Sequence, residues 1–418
     1  MLLGTAKVCI TPSIGTWMAG YGFRTKPCES IDEDIYIRVH AHRTEEKTVV
    51  YIYGDLAEWD NLVVKSLRAS LLETYGLAED DLVFLASHTH CGPVVGHDSL
   101  LCNKDTEDTA YTAFVEESTV KAVGEALANM VPVTMTRYNG ESYLNVFRRI
   151  YENGGIVMQP NYAVPADRHL TVLVLRDEAG TVRGIMAHYP CHANMCKGYA
   201  IHGDYPGSAL RMLDELYPDS VALFLQGCTG DLRPNVVCGD MFIPATYEQM
   251  VDAAKRFVGD CQRAISGHGI EVEGKLSNVT VKAKLPLENV KTNEELEALV
   301  ANGPAFEASW ATKVLERGNH DHEILELGLV RYGNGLSIYT LNGEVVQAYA
   351  AYARVLDPDA ISAAYSNGMV GYFPTASEIV EGGYEPVLSA PYFGLAGTYS
   401  MEIDRVIRRA MEQLHATK

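Results

Sequence analysis

The sequence predicts an α/β fold of layered, mixed β-sheets flanked by helices. Short apolar, β-rich runs recur at 49–54, 82–86, 170–175, 185–188, 221–226 and 336–341, and each ends at a turn signal. Segments with helical spacing, 61–75, 109–129, 207–216 and 247–265, lie between several of them. No linker, low-complexity tract or internal repeat divides the chain, so one domain over 1–418 is expected.

Residues 288–326 are polar and helix-prone and read as a helical insertion before the last strands. The tail 400–414 has the spacing of an amphipathic closing helix.

Bulk composition narrows the partners. The formal net charge is −20, which repels phosphate backbones and anionic bilayers, so neither nucleic acid nor stable membrane association is expected. The first residues, MLLGTAKVCITP, lack a basic stretch followed by a long apolar one. Nine cysteines, an odd number without a CxxC pair, suit a reducing compartment. The expectation is a cytoplasmic protein acting on a small molecule, with homo-oligomerisation left open.

Four strand ends carry polar clusters: Ser87 to Pro93, Tyr189 to Asn194, Gly227 to Pro234 and Asn342 to Glu344. Loops at strand ends are where α/β proteins build their sites, so these four suggest one shared pocket. His88 and His90 flank Thr89, and in extended backbone residues two apart face the same side. A metal pocket competes there with a polar strand end holding two satisfied histidines.

His188 and His192 are separated by Pro190, which argues against a helical i, i+4 pair. His188 reads as a core histidine and His192 as a ligand candidate. Asp204, after His202, reads either as an acceptor that fixes a histidine tautomer or as an ordinary helix-start acid. Glu344 reads as a solvated glutamate at a strand end, and Tyr372 and Tyr384, in a Gly-rich segment, as packing groups. Cys91, Cys191 and Cys228 fall in the same loops without being required as ligands. His320-Asp321-His322 looks metal-like but sits in a polar segment.

Taken together, these motifs make the chain resemble the catalytic domain of the neutral/alkaline ceramidases, which are zinc-dependent amidases. The resemblance starts at Ile10-Thr11-Pro12 and the stretch from Met18 to Arg24. It continues through His88-Thr89-His90-Cys91-Gly92-Pro93, where the family usually has Ser at the position of Cys91. Tyr189-Pro190-Cys191-His192, Gly227 to Pro234, Gly343-Glu344 and the Tyr372/Tyr384 pair complete it.

The resemblance implies one zinc per chain, held by His88, His192, Glu344 and Tyr372, and a zinc-bound water that attacks an amide. It implies catalytic roles for His90, Arg148 and Tyr384. Beside these, Asp204 is expected as a supporting group and Arg24, Asp231 and Arg233 as substrate contacts. The resemblance places Arg148 to within one residue. Two departures stand out. Arg233 occupies a position where the family has serine, and the C-terminal immunoglobulin-like domain of the long ceramidases is not expected. A soluble, polar or anionic N-acyl compound is therefore expected as substrate. The rival readings are a zinc enzyme acting on an ester or sugar-derived compound, and a non-catalytic metal-binding protein.

Overall fold

A computed structural model of the protein describes residues 1–22, 24–96, 108–333 and 335–417; Phe23 of the first motif lies outside them. Three five-stranded sheets dominate, and each is built to one plan.

In the first sheet, Leu2–Cys9, Tyr36–Arg43 and Thr48–Gly54 run antiparallel in sequence. The helix Asn61–Tyr75 then crosses over to the parallel strand Leu82–Ala86. The second sheet repeats this with Thr134–Glu141, His169–Arg176 and Val182–Tyr189, the helix Asp204–Leu216, and the parallel strand Val221–Gln226. The third does so with Leu276–Glu288, His322–Tyr332 and Leu336–Leu341, the helix Gln347–Leu356, and the parallel strand Ala360–Ala363.

A second helix covers the antiparallel strands of each sheet: Thr109–Ala128, Tyr247–Ile265 and Glu402–Ala416. A parallel pair needs a long crossover, which is why each repeat spends a helix at the same step. The expectation of no internal repeat therefore fails at the level of topology. The three units share pattern and connection without sharing residues, because a strand needs only apolar side chains and a turn needs only turn formers.

Every predicted strand and helix is present. The helix predicted over 207–216 starts three residues earlier, taking Pro206 into its first turn, where a missing N–H costs no hydrogen bond. Strands with polar alternation went unpredicted. Tyr36–Arg43 reads YIRVHAHR, yet Arg38, His40 and His42 are all buried. Arg38 pairs with Asp214 at 2.7 Å, His40 Nε2 meets the Val221 carbonyl at 2.7 Å, and His42 Nδ1 meets the Tyr332 hydroxyl at 2.7 Å. Residues 288–326 hold two helices, Asn293–Asn302 and Ala305–Arg317, that connect the first two strands of the third sheet. No helix among the described residues is long and apolar enough to cross a membrane.

The three parallel strands converge at their C-terminal ends. The Ala86 amide donates to the Tyr365 carbonyl, the Ala364 amide to the Gln226 carbonyl, and the Gln226 side-chain amide to the Ser87 carbonyl. One joint of backbone therefore fixes the loops of all three sheets against each other.

Candidate metal centre

His88 and Tyr365 each lie two residues past the last strand of their unit. Both take positive φ, 61° and 55°, a conformation that L side chains rarely adopt and that sharply redirects the chain. His192 and Glu344 each lie three residues past the third strand of theirs. Equivalent corners of the repeated unit thus aim their side chains at one point.

At that point three imidazoles meet. The Nε2 atoms of His88 and His192 are 3.1 Å apart, those of His90 and His88 3.2 Å, and those of His90 and His192 3.0 Å. Glu344 Oε2 is 3.3 Å from His88 Nε2. All four residues are buried.

The tautomers follow from the backbone. His88 Nδ1 lies 2.7 Å from the Ala57 carbonyl and His192 Nδ1 3.4 Å from that of Thr229. A carbonyl only accepts, so both Nδ1 atoms carry the proton and both Nε2 atoms present lone pairs. Two lone pairs 3.1 Å apart repel unless a cation lies between them. Ligands held about 2.0–2.1 Å from one tetrahedral zinc are separated by roughly 3.4 Å, so the donor set fits the ion. Burial, followed by neighbouring His88 and arginine charges, holds His90 and His192 well below the usual histidine range. His90 differs in one respect: its Nδ1 is buried without a hydrogen-bond partner.

The oxygen side is held by side chains. Tyr365 stacks on His88 with ring centroids 4.2 Å apart, donates to Glu344 Oε2 at 3.3 Å and bonds the Thr229 hydroxyl. The Tyr372 hydroxyl acts on both the Glu344 carboxylate and the Arg148 guanidinium, lowering the one and raising the other. Burial pushes the Glu344 carboxyl up, but His88, Tyr372 and Arg148 outweigh it, leaving it below its ordinary value. Arg148 lies 5.5 Å from the Tyr372 ring and 5.7 Å from the Tyr384 ring, and its Nε donates to Glu385 at 2.8 Å. Arg149 instead meets Glu378, Glu381 and Glu385, which settles which of the two arginines adjoins Glu344.

Other expected site residues have different neighbours. Arg24 donates to the carbonyls of Ala19, His90 (2.7 Å) and Gly198 (3.1 Å), tying three loop segments together. Gly20 beneath it has φ +92°, and a Cβ there would lie 2.6 Å from His90 Cα. Asp231 accepts from the Gln347 amide at 2.8 Å, at the start of a helix. Asp204 accepts from the amides of Met195, Cys196 and Tyr205 and is not the acceptor of any imidazole in the cluster. The tautomer-fixing role considered for Asp204 is filled for His88 and His192 by the carbonyls of Ala57 and Thr229.

Cys91, His202 and Asp204 form a second buried group with metal-like composition. It suits a metal poorly: Asp204 already serves three amides, and the Arg24 guanidinium lies 4.0 Å from the Cys91 sulfur. Burial pushes the Cys91 thiol up to about 12, and those of Cys191 and Cys228 rise as well. His188 Nε2 is 3.1 Å from the Ser362 carbonyl in the core, and His322 pairs with Asp321 at 2.6 Å.

Tyr365 escaped the sequence reading. Its one signal was position, two residues past a strand in the turn Tyr365-Ser366-Asn367, where the first unit has His88.

The geometry agrees with what the chain is similar to. The family model for the neutral/alkaline non-lysosomal ceramidase N-terminal region matches residues 1–291. Among solved structures, the neutral ceramidase of Pseudomonas aeruginosa superposes with a TM-score of 0.77 at 18% identity, covering 99% of this chain and 74% of that one. A ceramidase complexed with C2 superposes with a TM-score of 0.76 at 16% identity, over 99% and 74% of the two chains. No curated protein matches the sequence. The chain belongs to the neutral/alkaline non-lysosomal ceramidase family and is a hydrolase of C–N amide bonds.

Proposed function

We propose that the protein is a single-zinc amidase that cleaves a soluble, polar or anionic N-acyl compound in the cytoplasm. The observation that carries this reading is the trio of Nε2 atoms, 3.0–3.2 Å apart, with the Glu344 carboxylate at 3.3 Å. His88 and His192, whose tautomers are fixed, hold the ion together with Glu344, and Tyr372 is the adjacent oxygen donor. When bound, zinc supplies a Lewis acid that polarises a carbonyl and acidifies water.

The chain's own residues supply the rest. His90 shares the cluster through Nε2 but its Nδ1 is unpinned, so it is the imidazole able to take up and return a proton. Arg148 and Tyr384 bring a fixed positive charge and a phenol to the same pocket, where they stabilise negative charge developing on the amide oxygen. Burial raises the Tyr384 phenol, keeping it a donor at neutral pH.

The chain's acidity and the two arginines near the imidazoles favour a soluble, charged substrate over a long-chain lipid. All eight cysteines among the described residues are free, which favours a reducing compartment. The test is turnover by zinc-loaded protein of short N-acyl compounds beside long-chain ceramide in detergent. The short, soluble amides are expected to turn over faster, and efficient ceramide cleavage would contradict the substrate assignment. Loss of turnover on chelation and recovery with zinc would test the metal.

A further inference from the structure

Arg233 lies on the strand Leu232–Pro234, paired beside Val146, two residues from Arg148. Its guanidinium is half-buried and its Nε is buried without a hydrogen-bond partner. Among the described residues Nη1 reaches the Met158 thioether at 3.5 Å, and the group lies 4.6 Å from the Phe242 ring. No carboxylate pairs with it among the described residues. The nearby acids are engaged: Asp231 with the Gln347 amide, Asp204 with three amides, and Glu385 with Arg148 and Arg149. The Nη2 of Arg148 is likewise buried and unpartnered. Val146 and Arg148 are two apart on the strand Asn145–Glu152, so Arg233, paired with Val146, lies on the face that carries Arg148 beside Tyr372 and Tyr384.

A thioether is a weak acceptor and an aromatic face gives modest attraction, so neither replaces the water a guanidinium loses on burial. Among the described residues the fully buried Arg38 and Arg149 have carboxylates, Asp214 and Glu385, and the half-buried Arg24 has three carbonyls; Arg233 has neither. The partner missing from Arg233 is one that a ligand brings. A planar fork with parallel N–H bonds matches a carboxylate in bidentate geometry.

We propose that Arg233 is a specificity-determining residue that clamps a carboxylate of the substrate, so the preferred substrates are amides bearing a carboxylate within a few bonds of the scissile C–N bond. This rests on the amidase reading of the adjoining centre.

The experiment measures binding by calorimetry and turnover separately. It uses zinc-loaded wild type, Arg233→Gln and Arg233→Lys. N-hexanoylglycine is compared with N-hexanoylethanolamine, and N-butylsuccinamic acid with N-butylbutanamide, which puts the carboxylate on the amine side or the acyl side. In the wild type, one carboxylated compound binds roughly ten- to a hundredfold tighter than its neutral partner. Arg233→Gln brings that ratio to near one, and Arg233→Lys retains part of it as a point charge. Arg233→Gln keeps its zinc and melts within about 5 °C of the wild-type temperature, because the substitution removes a half-buried cation that has no carboxylate partner among the described residues.

A wild type without carboxylate preference, or an Arg233→Gln variant that keeps the preference, overturns the clamp. So does a variant that melts more than about 5 °C lower, since the guanidinium would then be serving the fold. Binding preference without turnover of either pair would sink the amidase reading and leave the clamp standing. Turnover without charge preference would do the reverse.

Discussion

His88 and His192, supplied by the first two sheets, are each oriented through Nδ1 by a backbone carbonyl, whereas Glu344, supplied by the third, is oriented by other side chains. A carbonyl is placed by the path of the chain and cannot be removed by a side-chain substitution. Tyr365, Tyr372 and Arg148 can be. The nitrogen half of the centre is therefore as rigid as the joint between the sheets, while the oxygen half is tuned by three replaceable groups.

The largest effect is expected where the rigid half is cut. His192→Ala removes a nitrogen donor that the Thr229 carbonyl holds in place, and zinc affinity should fall by more than about 100-fold, beyond the range typical of groups that only support ligands. Competition with a chromophoric chelator reads this, and an affinity within a few-fold of wild type would show that His192 is not a ligand.

The core histidine His188 sharpens the contrast, because it is buried and neutral with no metal role. Burial lowers its pKa to about 4 from 6.5. Above pH 6.5 it is neutral whether the chain is folded or not. As the pH falls from about 6.5 towards 4 the unfolded chain takes up a proton that the folded one refuses, so stability is lost across that window. His188→Gln should flatten urea-derived stability between pH 7.5 and 5 by about 2 kcal/mol relative to wild type. His40, also lowered to about 4 by burial, contributes equally to both proteins and cancels. Parallel pH curves for the two proteins would contradict the assignment.

The smallest effect belongs to the oxygen half. Tyr365→Phe keeps the stack on His88 and removes the hydrogen bonds to Glu344 and Thr229. Zinc affinity should fall about tenfold, the lower end for groups that orient a ligand. An unchanged affinity would mean that Tyr372 and Arg148 suffice to hold the carboxylate.

The same two halves explain what was legible in the sequence. His88 and His192 announce themselves as histidines in Gly- and Pro-marked turns at the ends of apolar strands. Tyr365 does not, because a tyrosine ending an Ile-Ser-Ala-Ala strand reads as core. Asp204, Asp231 and Arg24 have the residue types of pocket groups, yet each serves backbone amides or carbonyls. A charged side chain in a site loop meets ligand and loop backbone with the same chemistry, so only geometry separates the two. Arg148 needed geometry for a different reason: in an Arg-Arg pair sequence leaves open which one joins the site. The threefold plan was hidden because its units share only strand alternation and a helical crossover, while the connections between their first two strands range from a loop to a hairpin to two helices.

The ion is expected among His88, His192 and Glu344 rather than in the neighbouring Cys91, His202 and Asp204 group. X-ray absorption at the zinc edge of the purified protein, with elemental analysis of the same sample, tests this most directly. One zinc per chain with only nitrogen and oxygen neighbours at about 2.0–2.2 Å is the predicted result. A sulfur neighbour at about 2.3 Å, or protein that takes up no zinc, would contradict it.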